Sequence, residues 1–247
     1  MSGATGAANA GPRMQANGAS VSEYWTLAGT VAGPLPKVET DAVVEREQAA
    51  VADPLPLGLA GFASATFTIS AVFAGWFAIG NVVLAIPVAL VFGGIGQFLA
   101  GMWAFRRGNV LAATAFGAFG AFNTSWALLE WLTLAKVLPS SASGGDPAYV
   151  TGIFVLTFCL IAFYLGVAAV GENRMIAVIL FLLALTYLCD GIGVMMGGTN
   201  VLLVIGGYVG MITSLLAFYL SAAIVINSAQ KRATLPVFPV SAHAMSR

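Results

Sequence analysis

The sequence predicts an all-α membrane protein with six transmembrane helices per protomer and both termini cytoplasmic. Three observations lead there. Hydrophobic residues make up 59% of the 247 and charged residues only 8%, where a soluble domain carries about 25% charged residues. The charges are also displaced to the ends. Between Leu57 and Gln230 they are only Arg106, Arg107, Glu130, Lys136, Asp146, Glu172, Arg174 and Asp190. Finally, the apolar stretches have lengths near the ~20 residues that a helix needs to cross hydrocarbon.

The elements follow in order. Residues 1–52 read as a polar, Gly/Ala/Pro-bearing cytoplasmic tail without the apolar stretch of a secretory signal. Within it, propensity favours a short helix over Glu39–Ala52, with Thr40 or Asp41 at its N-cap. A six-helix domain occupies 53–230. Its spans are expected at Leu57–Ile79, Val82–Phe105, Val110–Val137, Tyr149–Val170, Met175–Gly197 and Val201–Asn227. Turn and charge signals separate them: Gly80-Asn81, Arg106–Asn109, Pro139–Pro147, Gly171–Arg174 and Gly197–Asn200. The link between the first two spans is so short that they must be antiparallel neighbours. Residues 231–247 form a second cytoplasmic tail.

Orientation follows from the basic residues. Arg106, Arg107, Arg174, Lys231 and Arg232 share one side with both termini, and the opposite short loops offer only Lys136. Positively charged loops stay in the cytoplasm. Trp76, Trp103, Trp126 and Trp131 fall towards span ends, where interfacial anchors sit. Gly93, Gly94, Gly101, Gly117, Gly120 and Ala121 read as sites of close helix packing, or as thin walls beside a narrow path.

Several chemistries are excluded. The single histidine, His243, lies in the C-terminal tail, which removes Ser-His-Asp, Cys-His and His-rich metal sites from the membrane domain. No Walker loop is present, so the chain reads as a non-enzyme without metal or cofactor. A net charge of zero and the lack of a basic run give a nucleic-acid partner no support. Cys159 and Cys189 sit in apolar stretches and read as small buried hydrophobes.

A sparse set of polar groups remains. Gly93, Gln97 and Gly101 share one stripe of the second span. Thr114, Ala118, Ala121 and Ser125 form another on the third, and Phe62, Thr66, Ile69 and Phe73 share a face of the first. Such stripes either line a path for a partly dehydrated solute or make hydrogen bonds between helices. Glu130, angularly distant from the Thr114–Ser125 stripe, reads as interfacial. Asp190 lies deep in the fifth span, and a carboxylate in the membrane is a functional hypothesis by default; here the candidate role is proton coupling.

Two motifs carry a resemblance. Asp53-Pro54-Leu55-Pro56-Leu57-Gly58-Leu59 is similar to the Asn-Pro-Ala-Pro-Leu-Gly-Leu signature of the acetate uptake transporter (succinate–acetate permease) family. Gly93-Gly94-Ile95-Gly96-Gln97 resembles that family's Gly-Gly-x-x-Gln, and the similarity continues through Ala100-Gly101, Gly108-Asn109 and Thr114-Ala115-Phe116 to Gly120. It covers about residues 53–235. The resemblance implies a plasma-membrane homo-hexamer in lipid, each protomer having its own pore for acetate, succinate and related small carboxylates, as a channel or a proton symporter. It implies a constriction at Phe62, Phe119 and Leu183. Asp53, Thr66, Gln97, Asn109, Thr114 and Ser125 are the candidate pathway residues. The sequence departs from the pattern at Asp53, where the family has Asn, and at Phe119, where it usually has an aromatic hydroxyl. A non-transporting membrane subunit or sensor, and a channel for small neutral amides, are the alternative readings.

Overall fold

A computed structural model describes residues 51–140 and 145–240. The helix expected over 39–52 falls almost wholly outside these residues, as does His243. Among the described residues the chain forms six long helical segments, each at the place of an expected span. They are α1 (Leu55–Phe73), α2 (Ile79–Arg106), α3 (Val110–Leu134), α4 (Asp146–Ala169), α5 (Arg174–Met196) and α6 (Val201–Gln230). Five are long and apolar enough to cross a membrane; α3 falls outside that set. Its Asn123-Thr124-Ser125 run and its glycines dilute the apolar character that length alone would supply. The chain is a helical, multi-pass membrane protein.

The helix starts have local causes. Asn109, Asn173 and Asn200 cap α3, α5 and α6, accepting hydrogen bonds from first-turn amides such as Ala112 N at 2.8 Å, Met175 N at 2.9 Å and Leu202 N at 3.1 Å. At the head of α1, Pro54 and Pro56 bracket the first turn, and the Asp53 carboxylate accepts from Leu55 N at 3.0 Å. An Asn at this position would offer the same acceptor, so the Asp53 departure preserves the turn.

Segment α2 is not the uniform helix expected from Val82. It opens with a 3-10 stretch at Ile79–Ala85, passes through Ile86–Val88, widens to a π-helix over Ala89–Gly96 and closes as α-helix over Gln97–Arg106. Pro87 removes one backbone donor and unsettles the ladder. Gly93, Gly94 and Gly96 allow the wider winding that follows, a local form found often at functional sites.

The segments pack in a ring. Helix α1 lies chiefly against α6, α6 against α5, α5 against α4 and α2 against α3 and α1, while a lighter α3–α4 contact completes the circle. Crossings are close where glycines meet backbone: a Cβ on Gly101 would fall 2.8 Å from Gly117 N, and one on Gly120 2.7 Å from Phe98 N. These two glycines therefore act in packing. Trp76, Trp103 and Trp131 are exposed, but Trp126 is only 6% exposed. It faces inward, which corrects its reading as an interfacial anchor.

After α6 the chain turns back as an extended strap. Asn227 accepts from Thr234 N and Leu235 N, both at 2.8 Å, and donates to Leu235 O at 2.7 Å. Tyr219 Oη donates to Pro236 O at 3.0 Å. Residues 237–240 then pair with the α4–α5 link. Asn173 Nδ2 donates to Val237 O at 2.7 Å, Arg174 N to Phe238 O at 3.2 Å and Val240 N to Glu172 O at 3.0 Å.

Candidate functional site

Two cavities lie along the axis of the ring. The smaller, about 50 Å³, is walled by Leu55, Phe62, Gln97, Asn109, Phe119, Glu172, Leu183 and their neighbours. Its outermost members come from the ends that bear the basic loops. The larger, about 410 Å³, is lined by Thr66, Ser70, Asn123, Glu130, Lys136, Tyr187 and Asp190 among others, and reaches Gly80 and Gly198 at the opposite end.

An apolar layer lies at the end of the small cavity nearest the large one, one helical turn before Thr66, Asn123 and Tyr187. Phe62, Phe119 and Leu183 are buried and belong to the wall of the small cavity. The Phe62 and Phe119 rings lie 6.4 Å apart between centroids at 43°, and Phe119 meets Tyr187 at 6.1 Å, again at 43°. Phe122, packed on Tyr187 at 4.9 Å, already faces the large cavity.

Helix α1 runs past the ring on one stripe, with Phe62 in the small cavity and Thr66, Ile69 and Phe73 in the large one. Helix α5 does the same with Leu183, Tyr187 and Asp190. On α3 the inward stripe is Phe116, Phe119, Asn123, Trp126 and Glu130, and this differs from expectation. Thr114 is half-buried, Ser125 is exposed, and both are absent from the walls of the two cavities. At 3.6 residues per turn they stand roughly 160–180° around the helix from Asn123. Glu130, expected at the interface, lines the large cavity near its mouth. Asp53, exposed at the head of α1, lines neither cavity.

Polar groups flank the ring on both sides. Gln97, 1% exposed, lines the small cavity; Asn123, 2% exposed, lines the large one. Asn123 Nδ2 faces three oxygens: Phe119 O at 3.0 Å, Gly93 O at 3.3 Å and Gln97 Oε1 at 3.4 Å. Deeper along α5, Asp190 is 7% exposed, and its Oδ1 is buried without a hydrogen-bond partner. That oxygen lies against Gly206, where any Cβ would collide with it. Asn123 and Tyr187 were not singled out from sequence. The signal for Asn123 was available, since an amide in a membrane helix carries more donors and acceptors than its own helix can satisfy.

Cys159 is half-buried, its Sγ donating to Ala184 O at 3.2 Å, and Cys189 is buried; both are free. Among the described residues no cluster of His, Cys, Asp or Glu could hold a metal ion.

Comparison with known proteins places this architecture. Over 88 residues the chain is 36% identical to the succinate-acetate/proton symporter SatP of Escherichia coli (strain K12), a segment covering 36% of this chain and 42% of that protein. Over 78 residues it is 40% identical to acetate permease A of Emericella nidulans, covering 32% of this chain and 26% of the relative. Over 80 residues it is 39% identical to ammonia transport outward protein 2 of Saccharomyces cerevisiae, covering 32% of this chain and 28% of the relative. The chain thus spans less than half the length of the curated relatives it matches. Its fold is similar to that of the bacterial acetate channel SatP, with a TM-score of 0.67 and 24% identity over 76% of this chain and 99% of the other. The family model for GPR1/FUN34/yaaH proteins matches residues 37–242, which take in all six helical segments and the strap, and the chain belongs to the GPR1/FUN34/yaaH family.

Proposed function

We propose that the protein carries acetate and related small carboxylates across the plasma membrane, through the cavities of each protomer. The observation that carries this reading is the single apolar layer of Phe62, Phe119 and Leu183, with a cavity on each side and the amides of Gln97 and Asn123 flanking it. A solute crossing the ring must be small and must shed water, and the Gln97 amide is placed to hydrogen-bond it there. The relatives named for acetate support the choice of cargo.

The charge of the walls favours proton coupling. Glu172 lines the small cavity, and Glu130 and Asp190 line the large one with Lys136 as the sole cation in its wall. Acidic groups outnumber basic ones, so a bare carboxylate anion meets repulsion, whereas an acid accompanied by a proton does not. Asp190, whose Oδ1 lacks a partner, is the group placed to hold that proton. We place the basic loops and both termini in the cytoplasm and the protomers in a homo-hexamer. The two axial cavities count against a sensor whose axis is packed solid.

A second reading has one observation behind it: a relative named for ammonia transport is 39% identical over 80 residues, and two amides suit a small neutral solute. Uptake of labelled acetate, and of acetamide in parallel, into proteoliposomes with and without an inward proton gradient decides between them. Acetate accumulation driven by the gradient is expected. No uptake of acetate above empty vesicles, with the protein folded, would overturn the assignment.

A further inference from the structure

Asn123 lies directly past the ring and is tied to the amide on its other side. An amide's two ends have nearly the same outline, so its neighbours decide which way it points. For Asn123 the neighbours are decisive. Gly93 O and Phe119 O are backbone carbonyls and can only accept, so the end of Asn123 that faces them at 3.3 and 3.0 Å is the NH2. That same nitrogen faces Gln97 at 3.4 Å, and the atom it meets must therefore be an acceptor, Oε1. The orientation of Gln97 is then settled: its carbonyl is held by Asn123, and its own NH2 is the end left to the small cavity that Gln97 lines.

The geometry points to Asn123 as a positioning residue that sets the selectivity of the path for carboxylates over amides by fixing Gln97 with its donors toward the permeant. This rests on the carboxylate reading above and names the device that enforces it. A carboxylate oxygen accepts from the presented NH2, whereas the NH2 of acetamide meets another donor and must turn away. The π-helical winding of α2 belongs to the device, because it contains Gly93 and ends one residue before Gln97. Asn123 is reached from α3, so two elements must be in register for the amide to be fixed.

The test uses the full chain in proteoliposomes and measures the ratio of acetate to acetamide uptake. Asn123→Asp keeps the outline but supplies at most one donor, and Gln97 is expected to turn its NH2 toward the acid and its Oε1 toward the path. The ratio should fall about tenfold, the size of one hydrogen bond gained by the wrong solute and lost by the right one. Asn123→Ala, which frees Gln97 without offering it an acceptor, should give an intermediate fall. A packing role alone would lower both fluxes together. In a Gln97→Leu background the Asn123 substitutions should no longer change the ratio, since there is no amide left to orient.

An unchanged ratio in either folded Asn123 variant, or an undiminished fall in the Gln97→Leu background, would overturn the inference alone. Wild-type vesicles that take up neither solute would remove the carboxylate reading, and the inference with it.

Discussion

The rings of Phe119 and Tyr187 lie 6.1 Å apart at 43°, one from α3 in the wall of the small cavity and one from α5 in the wall of the large one. Phe119 has no hydroxyl, while the phenol of Tyr187 belongs to the side chain packed against it and lines the larger cavity. Tyr187→Phe should lower acetate uptake by roughly 2- to 10-fold, the span of one neutral hydrogen bond. The largest carboxylate admitted should stay the same. Uptake rates over a series of acids of increasing length check both statements, and a changed size limit would remove the phenol's separate role.

Phe119→Ala should do the reverse. Deleting a buried ring opens the layer, so succinate should gain on acetate and water should leak through. Stability should fall by about 3–5 kcal/mol, as for other buried Phe truncations. Osmotic shrinkage of the vesicles reads the leak. Unchanged permeability in a folded variant would place the constriction elsewhere.

Asp190→Asn should leave acetate able to equilibrate but end its accumulation under an inward proton gradient. Gly206→Ala should have a similar effect from a different helix, because its new Cβ collides with Asp190 Oδ1 and displaces the carboxylate. The comparison is the accumulation ratio at fixed outside acetate with and without the gradient. Full gradient-driven accumulation in Asp190→Asn would exclude this residue from coupling.

Asn227→Ala should release the first part of the strap, which hangs on that side chain by three hydrogen bonds. Amide exchange at residues 234–240 should quicken while exchange in the helices stays slow. Asn173→Ala should loosen the far part and also lose the cap of α5, costing about 1 kcal/mol for the cap. Hydrogen-exchange mass spectrometry reads both, and unaltered protection of the strap in Asn227→Ala would show that apolar contacts hold it.

How much of this was legible in the sequence depended on which forces shape a membrane helix. The positions of α1 to α6 were legible because lipid demands long apolar runs and because turn and charge signals such as Arg106–Asn109, Gly171–Arg174 and Gly197–Asn200 separate them. The inward faces of α1 and of Gln97 were legible as stripes. The inward face of α3 was not. Apolar character does not separate lipid-facing from axis-facing sides, and a hydroxyl can satisfy itself on its own helix, as Thr124 does on Gly120 O at 2.9 Å. Asn123 was the better guide. The winding of α2 was hidden because a Pro and three glycines license a departure from α-helix without stating its form. The strap was hidden because an extended, proline-bearing stretch after a last helix carries no periodicity to read.

The strap also fixes an order of construction. Its bond from Asn173 to Val237 joins residues 64 positions apart, and Glu172, whose carbonyl holds Val240, lines the mouth of the small cavity. Translation delivers residues 233–240 only after all six helices have been made. A chain still on the ribosome can therefore have its helices in the bilayer while the strap has yet to bond to the rim of the small cavity. The strap then bonds to Glu172 at that rim.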